Sequence, residues 1–181
     1  MRSTIVMVVA VLLAWTGALP AQDVDPPIKA KNSNEVLKKN RTELKLTSSS
    51  AFDGWPVEKA FDGDPKTSWF SEQDDSAAKG KTPWVEIGFP ADTEVKHVTI
   101  IGNREPEYPK GFTVLKGKLE LLDDKGKVVY SKELETTDDK RDFDFEIPRA
   151  MKVRSVRFTS LGDQGNDTDF GDIAIAEIMV E

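Results

Sequence analysis

From Leu44 onward, apolar and polar residues alternate in short runs and do not recur at the three-to-four spacing of an amphipathic helix. The clearest run is Asp142-Phe143-Asp144-Phe145-Glu146-Ile147, which places Phe143, Phe145 and Ile147 on one face of a strand and three carboxylates on the other. Runs rich in β-branched and aromatic residues also occupy 44–48, 84–89, 95–102, 112–122, 127–134, 153–161 and 173–180, separated by clusters of Gly, Asp, Asn and Pro. The pattern predicts about eight strands. Asp123-Asp124-Lys125-Gly126, between two of them, reads as a hairpin turn in which the glycine supplies a positive φ. Strands with one apolar face must cover that face with another sheet, so the fold class is an all-β antiparallel sandwich. Periodicity alone leaves jelly-roll and immunoglobulin-like strand orders open.

The segment before the strands has a different character. Arg2, an apolar run over 5–15, and then Gly17, Ala18 and Ala21 follow the order of a secretory signal peptide over 1–21, with an apolar run too short for a spanning helix. Residues 22–42 are polar, contain Pro26-Pro27, and read as a flexible tether, leaving 43–181 as the folded domain. Loss of the leader leaves 24 basic against 32 acidic residues, a net charge of −8 with no basic block, so neither nucleic acid nor an anionic membrane is expected as a partner. There is no Cys and a single His, which removes thiol nucleophiles, disulfides, lipoprotein anchoring and zinc sites built on Cys or paired His. An exported chain without disulfides points to a secreted or periplasmic protein of a bacterial envelope.

The most specific local pattern is Lys59-Ala60-Phe61-Asp62-Gly63-Asp64-Pro65-Lys66-Thr67-Ser68-Trp69. Asp62, Asp64 and Thr67 gather oxygen donors on a turn made by Gly63 and Pro65, an arrangement suited either to a hard cation such as calcium or to a plain solvated turn. This segment, followed by Pro83-Trp84-Val85-Glu86-Ile87-Gly88-Phe89, by Val95-Lys96-His97-Val98-Thr99-Ile100 and by Ile175-Ala176-Glu177-Ile178, resembles the discoidin family, also called coagulation-factor-5/8 type C domains. The resemblance spans about 44–181 and implies a galactose-binding-like jelly roll similar to the family 32 carbohydrate-binding modules. It also implies a structural calcium held by Lys59, Asp62, Asp64, Thr67, Ala176 and Glu177; a metal-free turn, or a lysine in place of the ion, is the alternative.

The same resemblance puts a ligand in the loops at one end of the sandwich. The candidates there are Asn103, Arg104 with its forked donor for vicinal hydroxyls, Trp55 and Tyr108 as stacking surfaces, and Phe170 in the polar loop over 162–171 before the last strand. Trp69 and Trp84 are expected in the core. His97 falls in mid-strand and reads as a facing residue, unlike the loop histidine of galactose- or fucose-binding relatives. The function implied is a non-catalytic module binding a glycan or another cell-surface component. A protein-interaction or adhesion domain, engaging another envelope protein, is the alternative. No nucleophile motif, phosphate loop or histidine pair supports an enzyme.

Overall fold

The structure, a computed structural model, describes Leu37 and residues 43–164 and 171–181. Seven strands run in chain order: β1 (Lys45–Ser48), β2 (Trp69–Phe70), β3 (Trp84–Gly102), β4 (Val114–Leu122), β5 (Val128–Glu135), β6 (Phe143–Asp163) and β7 (Ala174–Val180). Short 3-10 helices at Val57–Phe61 and Ala77–Lys79 interrupt the early loops. All strand pairs are antiparallel.

Two strands are long enough to serve both layers. The first half of β3 pairs with β1 and with the second half of β6, which continues to β4 and β5. The second half of β3 pairs with the first half of β6 on one side and with β7 on the other, and β7 carries β2. The result is the antiparallel β-sandwich of jelly-roll class that the alternation and the motifs predict. Register shifts between Gly88 and Thr93 and between Val95 and His97 mark where β3 bends from one layer to the other.

These bends account for the difference between eight expected strands and seven observed. Pro90-Ala91-Asp92 and Pro148-Arg149-Ala150 look like loop sequence because their side chains are exposed, yet their backbones stay within β3 and β6. Each continuous strand was therefore read as two, and the two-residue β2 was too short to show a period.

Burial follows the alternation where a strand faces the core. Val85, Ile87 and Phe89 are buried, as are Phe143, Phe145 and Ile147, while Asp144 and Glu146 point outward. Asp142 departs from that expectation: it is buried, where its carboxylate accepts a hydrogen bond from the Gly102 N–H at 3.0 Å. Trp69 is in the core as expected, fully buried, with its indole N–H donating to the Ser50 carbonyl at 2.9 Å. Trp84 is not. It is half-buried beneath the Arg157 guanidinium, 4.8 Å from the ring centroid, because its strand position faces outward beside the Glu86–Arg157 ion pair.

The hairpin turn forms as its sequence predicts. The Gly126 N–H donates to the Asp123 carbonyl at 3.1 Å with φ at +74°, and the Asp123 carboxylate accepts from the main-chain N–H groups of Lys127 and Lys125. Those two N–H groups hold the Asp123 carboxyl below its ordinary value, Lys127 most. Leu37 is helical and packs into the core, so the segment expected to be a free tether has an anchor point there. The leader and the remainder of 22–42 lie outside the described residues.

Gly117 on β4 sets a tight packing limit. A Cβ added there would stand 2.4 Å from the ring of Phe158, which is itself locked against Phe143 with centroids 5.2 Å apart. Gly117→Ala is expected to cost about 1–3 kcal/mol through overpacking. Gly88→Ala, whose added carbon would meet nothing nearer than 3.5 Å, is expected to be near neutral. Thermal melts of the two variants check the contrast.

Candidate functional site

At one end of the sandwich, Phe52, Trp55, Phe70, Tyr108, Phe112 and Asp172 line a cleft of about 370 Å³. The residues come from four separate parts of the chain. Phe52 and Trp55 sit on the turn after β1, closed by the Trp55 N–H donating to the Phe52 carbonyl at 2.9 Å. That turn is tied to β2, since the Phe52 N–H donates to the Phe70 carbonyl at 3.0 Å and the Phe70 N–H to the Trp55 carbonyl at 3.3 Å. Tyr108 comes from the loop after β3. Phe112 immediately precedes β4, and its carbonyl accepts from the Ala174 N–H of β7 at 2.9 Å, next to Asp172.

The rings meet one another at steep angles, which is the favourable arrangement for aromatic quadrupoles. Trp55 lies 5.6 Å from both Phe70 and Tyr108, and Tyr108 stands 6.2 Å from Phe112 with an interplanar angle of 88°. Phe70 and Phe112 are buried and form the floor, whereas Phe52 and Tyr108, 38% and 39% exposed, form the rim.

Among the described residues, Asp172 is the one acidic group lining the cleft. It is 7% exposed, and its Oδ1 is buried with no hydrogen-bond partner among the described residues. Burial pushes its carboxyl up to about 6; its own main-chain N–H opposes the shift and the neighbouring Asp74 carboxylate adds to it.

The loop that presents Tyr108 is held from beneath by Arg141 and Asn103. Arg141 is fully buried, donating through Nη1 to the carbonyls of Pro109 at 2.7 Å and Asn103 at 3.3 Å, through Nε to the Asp138 carbonyl at 2.6 Å, and pairing with the Asp138 carboxylate at 3.0 Å. The Asn103 amide donates to the Tyr108 carbonyl at 2.7 Å, while its side-chain oxygen accepts from the Glu105 N–H at 2.9 Å. Among the described residues, three other than glycine adopt positive φ: Asp74, Phe112 and Arg141, each at +61°. All three belong to this end of the molecule, as a cleft wall, a loop clamp and the neighbour of Asp172. Such backbone costs on the order of 1–3 kcal/mol per residue and persists only where the surroundings over-determine it.

The expected ligand residues divide accordingly. Trp55 and Tyr108 come together in the cleft. Asn103 is fully buried and serves the loop. Arg104 pairs with Asp142 at 3.0 Å and donates to the Gly102 carbonyl at 3.0 Å, so its fork is turned into the protein beside the cleft. Phe170 lies outside the described residues. Phe52, Phe70, Phe112, Asp172 and Arg141 were not anticipated; an aromatic residue in the polar, turn-forming stretch Ala51-Phe52-Asp53-Gly54-Trp55 was the available signal.

The oxygen-rich loop lies next to this cleft, for Lys59 extends from it to place its ammonium 5.3 Å from the Trp55 ring centroid. Glu105 stands close by, its carboxyl raised by burial against the pull of Lys59. Within the loop, Asp62 accepts from the Asp64 N–H at 2.8 Å and from the Thr67 hydroxyl at 2.6 Å, and that hydroxyl also reaches the Asp64 carbonyl at 3.1 Å. Across the molecule, the buried Glu177 of β7 accepts from the Gly63 N–H through Oε2 at 2.8 Å. Gly63 is at φ +85°, a conformation closed to most side chains, so the turn that offers this N–H requires glycine.

The opening loop and the last strand therefore meet through the Gly63–Glu177 hydrogen bond, on a loop whose side chains carry the oxygen chemistry of a hard-cation ligand set. Among the described residues no three carboxylate or imidazole side chains form a group able to hold an ion, so a cation here would draw on main-chain carbonyls, including those of Lys59 and Ala176, for much of its shell. His97 is elsewhere: buried on β3, with Nε2 2.5 Å from Asp144 and Nδ1 3.7 Å from Glu181.

No curated protein matches the chain by sequence. Among solved structures, the chain is similar to the family 32 carbohydrate-binding module of NanJ from C. perfringens, in complex with galactose, at 16% identity, 78% coverage of this chain, 95% of that one and a TM-score of 0.61. A fucose-binding module from Streptococcus pneumoniae matches at 14% identity, 77% and 93% coverage and a TM-score of 0.58. Chitosan-binding module 1 of the chitosanase/glucanase from Paenibacillus sp. IK-5 matches at 19% identity, 76% and 93% coverage and a TM-score of 0.56. These likenesses establish the fold. The F5/8 type C domain family model matches residues 45–176, most of the chain and nearly all of the sandwich, and the protein belongs to that family.

Proposed function

We propose that the protein is a non-catalytic, exported glycan-binding module that takes a sugar ring in the aromatic cleft. The observation that carries this reading is the cleft itself: five rings converge from separate parts of the chain on one open space at the end of the sandwich. Aromatic surfaces accept the C–H faces of a pyranose, and a rim half open to solvent suits the end of a longer saccharide. The names of the structural neighbours, modules that bind galactose, fucose or chitosan, support the same class of ligand.

Calcium belongs to this proposal as a clasp and not as a ligand contact. Asp62, Asp64, Thr67 and Glu177, with the carbonyls of Lys59 and Ala176, would hold it and join the first loop to the last strand. Bound calcium would neutralise carboxylates there and fix the loop from which Lys59 reaches Trp55.

Two measurements test the reading. On a glycan array followed by calorimetry, the mature chain is expected to bind a defined saccharide, and Trp55→Ala to weaken that binding at least about tenfold, the loss of one stacking surface, with the fold intact. Failure of every glycan, with a protein partner recovered through the same rim, would favour the interaction-domain alternative. Separately, calcium at 100 times its dissociation constant is expected to stabilise by about 2.7 kcal/mol and raise the melting temperature by several degrees. Glu177→Gln is expected to abolish that shift, and a melting curve indifferent to both calcium and chelator would leave a metal-free clasp.

A further inference from the structure

The cleft's chemistry is more selective than a sugar platform requires. Its walls are aromatic, and Asp172, the one carboxyl that lines it among the described residues, is buried there with Oδ1 lacking a hydrogen-bond partner. A carboxylate in such a place is costly unless a cation or strong donors compensate it. The nearby cations are otherwise engaged: Arg104 is paired with Asp142, Lys79 with Asp74 at 3.4 Å, and Lys59 stands on Trp55. A neutral sugar is ordinarily oriented by several polar groups, and the cleft's lining is almost wholly aromatic. Aromatic rings, by contrast, attract a cation through their quadrupoles, and an acid at their base adds to that attraction.

We propose that the cleft recognises a protonated amine, carried on a body the size of a single ring and seated with its ammonium against Asp172 between Trp55, Tyr108, Phe70 and Phe112. This rests on the glycan reading for its natural source, an amino sugar with a free amine; a lysine-like alkylamine presents the same chemistry. The raised value of the Asp172 carboxyl agrees with a negative group awaiting a partner. Among the described residues, Asp74 is the charged group that acts on Asp172; Asp74 and Lys79 lie against the neighbouring Gly171, and Tyr108 lines the same cleft.

The test is calorimetric, on the full mature chain near pH 7, with three probes: a glucosamine tetramer, the N-acetylated tetramer of the same length, and n-butylammonium. The free-amine tetramer is expected to bind at least about tenfold more tightly than its acetylated counterpart, and Asp172→Asn to erase the difference. Affinity for the amine is expected to fall as pH drops through about 6, where Asp172 takes up its proton. Binding of butylammonium in preference to either sugar would assign the amine to a source other than a glycan while upholding the role of Asp172. Equal binding of the two tetramers, or an amine preference untouched by Asp172→Asn, would overturn the inference and leave the glycan reading standing. No binding of any probe, together with an empty glycan array, would overturn both.

Folding of the variant is checked by its own pH signature. The Asp172 carboxyl is raised from 3.8 to about 6 in the fold, so the folded state holds its proton through that window and its ionisation is a cost above it. Asp172→Asn is therefore expected to melt higher than the parent near pH 7, with the gain growing as pH rises from about 4 to about 6 and absent below.

Discussion

A buried carboxylate on the last strand accepts a hydrogen bond from a turn 114 residues earlier, and the organisation of this domain depends on that closure. β7 lies between β2 and β3, is buried along nearly its whole length, and is covered by the 3-10 helix at Val57–Phe61. Glu177 fixes the oxygen-rich loop at one point of β7. Just before the strand begins, the Ser71 N–H donates to the Ile173 carbonyl at 3.0 Å, and Asp172 takes its place in the cleft. Joining chain segments so far apart carries a loop-closure cost, which is offset here by the pairing of β7 on both edges and its burial.

The cleft is built on the same constraint and adds a second one, in which backbone strain is exchanged for preorganisation. Phe112 and Arg141 hold conformations that bulky side chains avoid, and each is secured: Phe112 by the Ala174 N–H, Arg141 by three carbonyls and a carboxylate. Rings that are fixed before a ligand arrives lose little side-chain entropy on binding it, so a small cleft can still be selective. The Arg104–Asp142 pair belongs to this scaffold, since it stiffens the base of the loop that carries Tyr108.

Alternation in the sequence reports which side chains are exposed, and it located the strands because each has one face in the core. It does not report whether the backbone goes on pairing. Pro90 and Pro148 thus looked like ends of strands whose ladders continue around a bend. The closure between Gly63 and Glu177 was legible only through the family resemblance, since the composition of the turn marks it as oxygen-rich but nothing local says which strand it meets. The cleft was legible in part. Trp55 and Tyr108 stand out as aromatics in turn-rich loops, but Phe70 and Phe112 look like ordinary core residues until β2 and β4 are seen to converge. Asp172 is one acid among many, marked only by burial, and the burial of Arg141 and the pairing of Arg104 depend on contacts that no local pattern encodes.

β3 and β6 each pass from one layer of the sandwich into the other and remain paired on both sides of the bend. Neither sheet therefore owns a complete set of strands, and peeling one away would tear the other. Loss of one layer therefore strips pairing from the other, and the sandwich is expected to unfold as a single unit and not layer by layer.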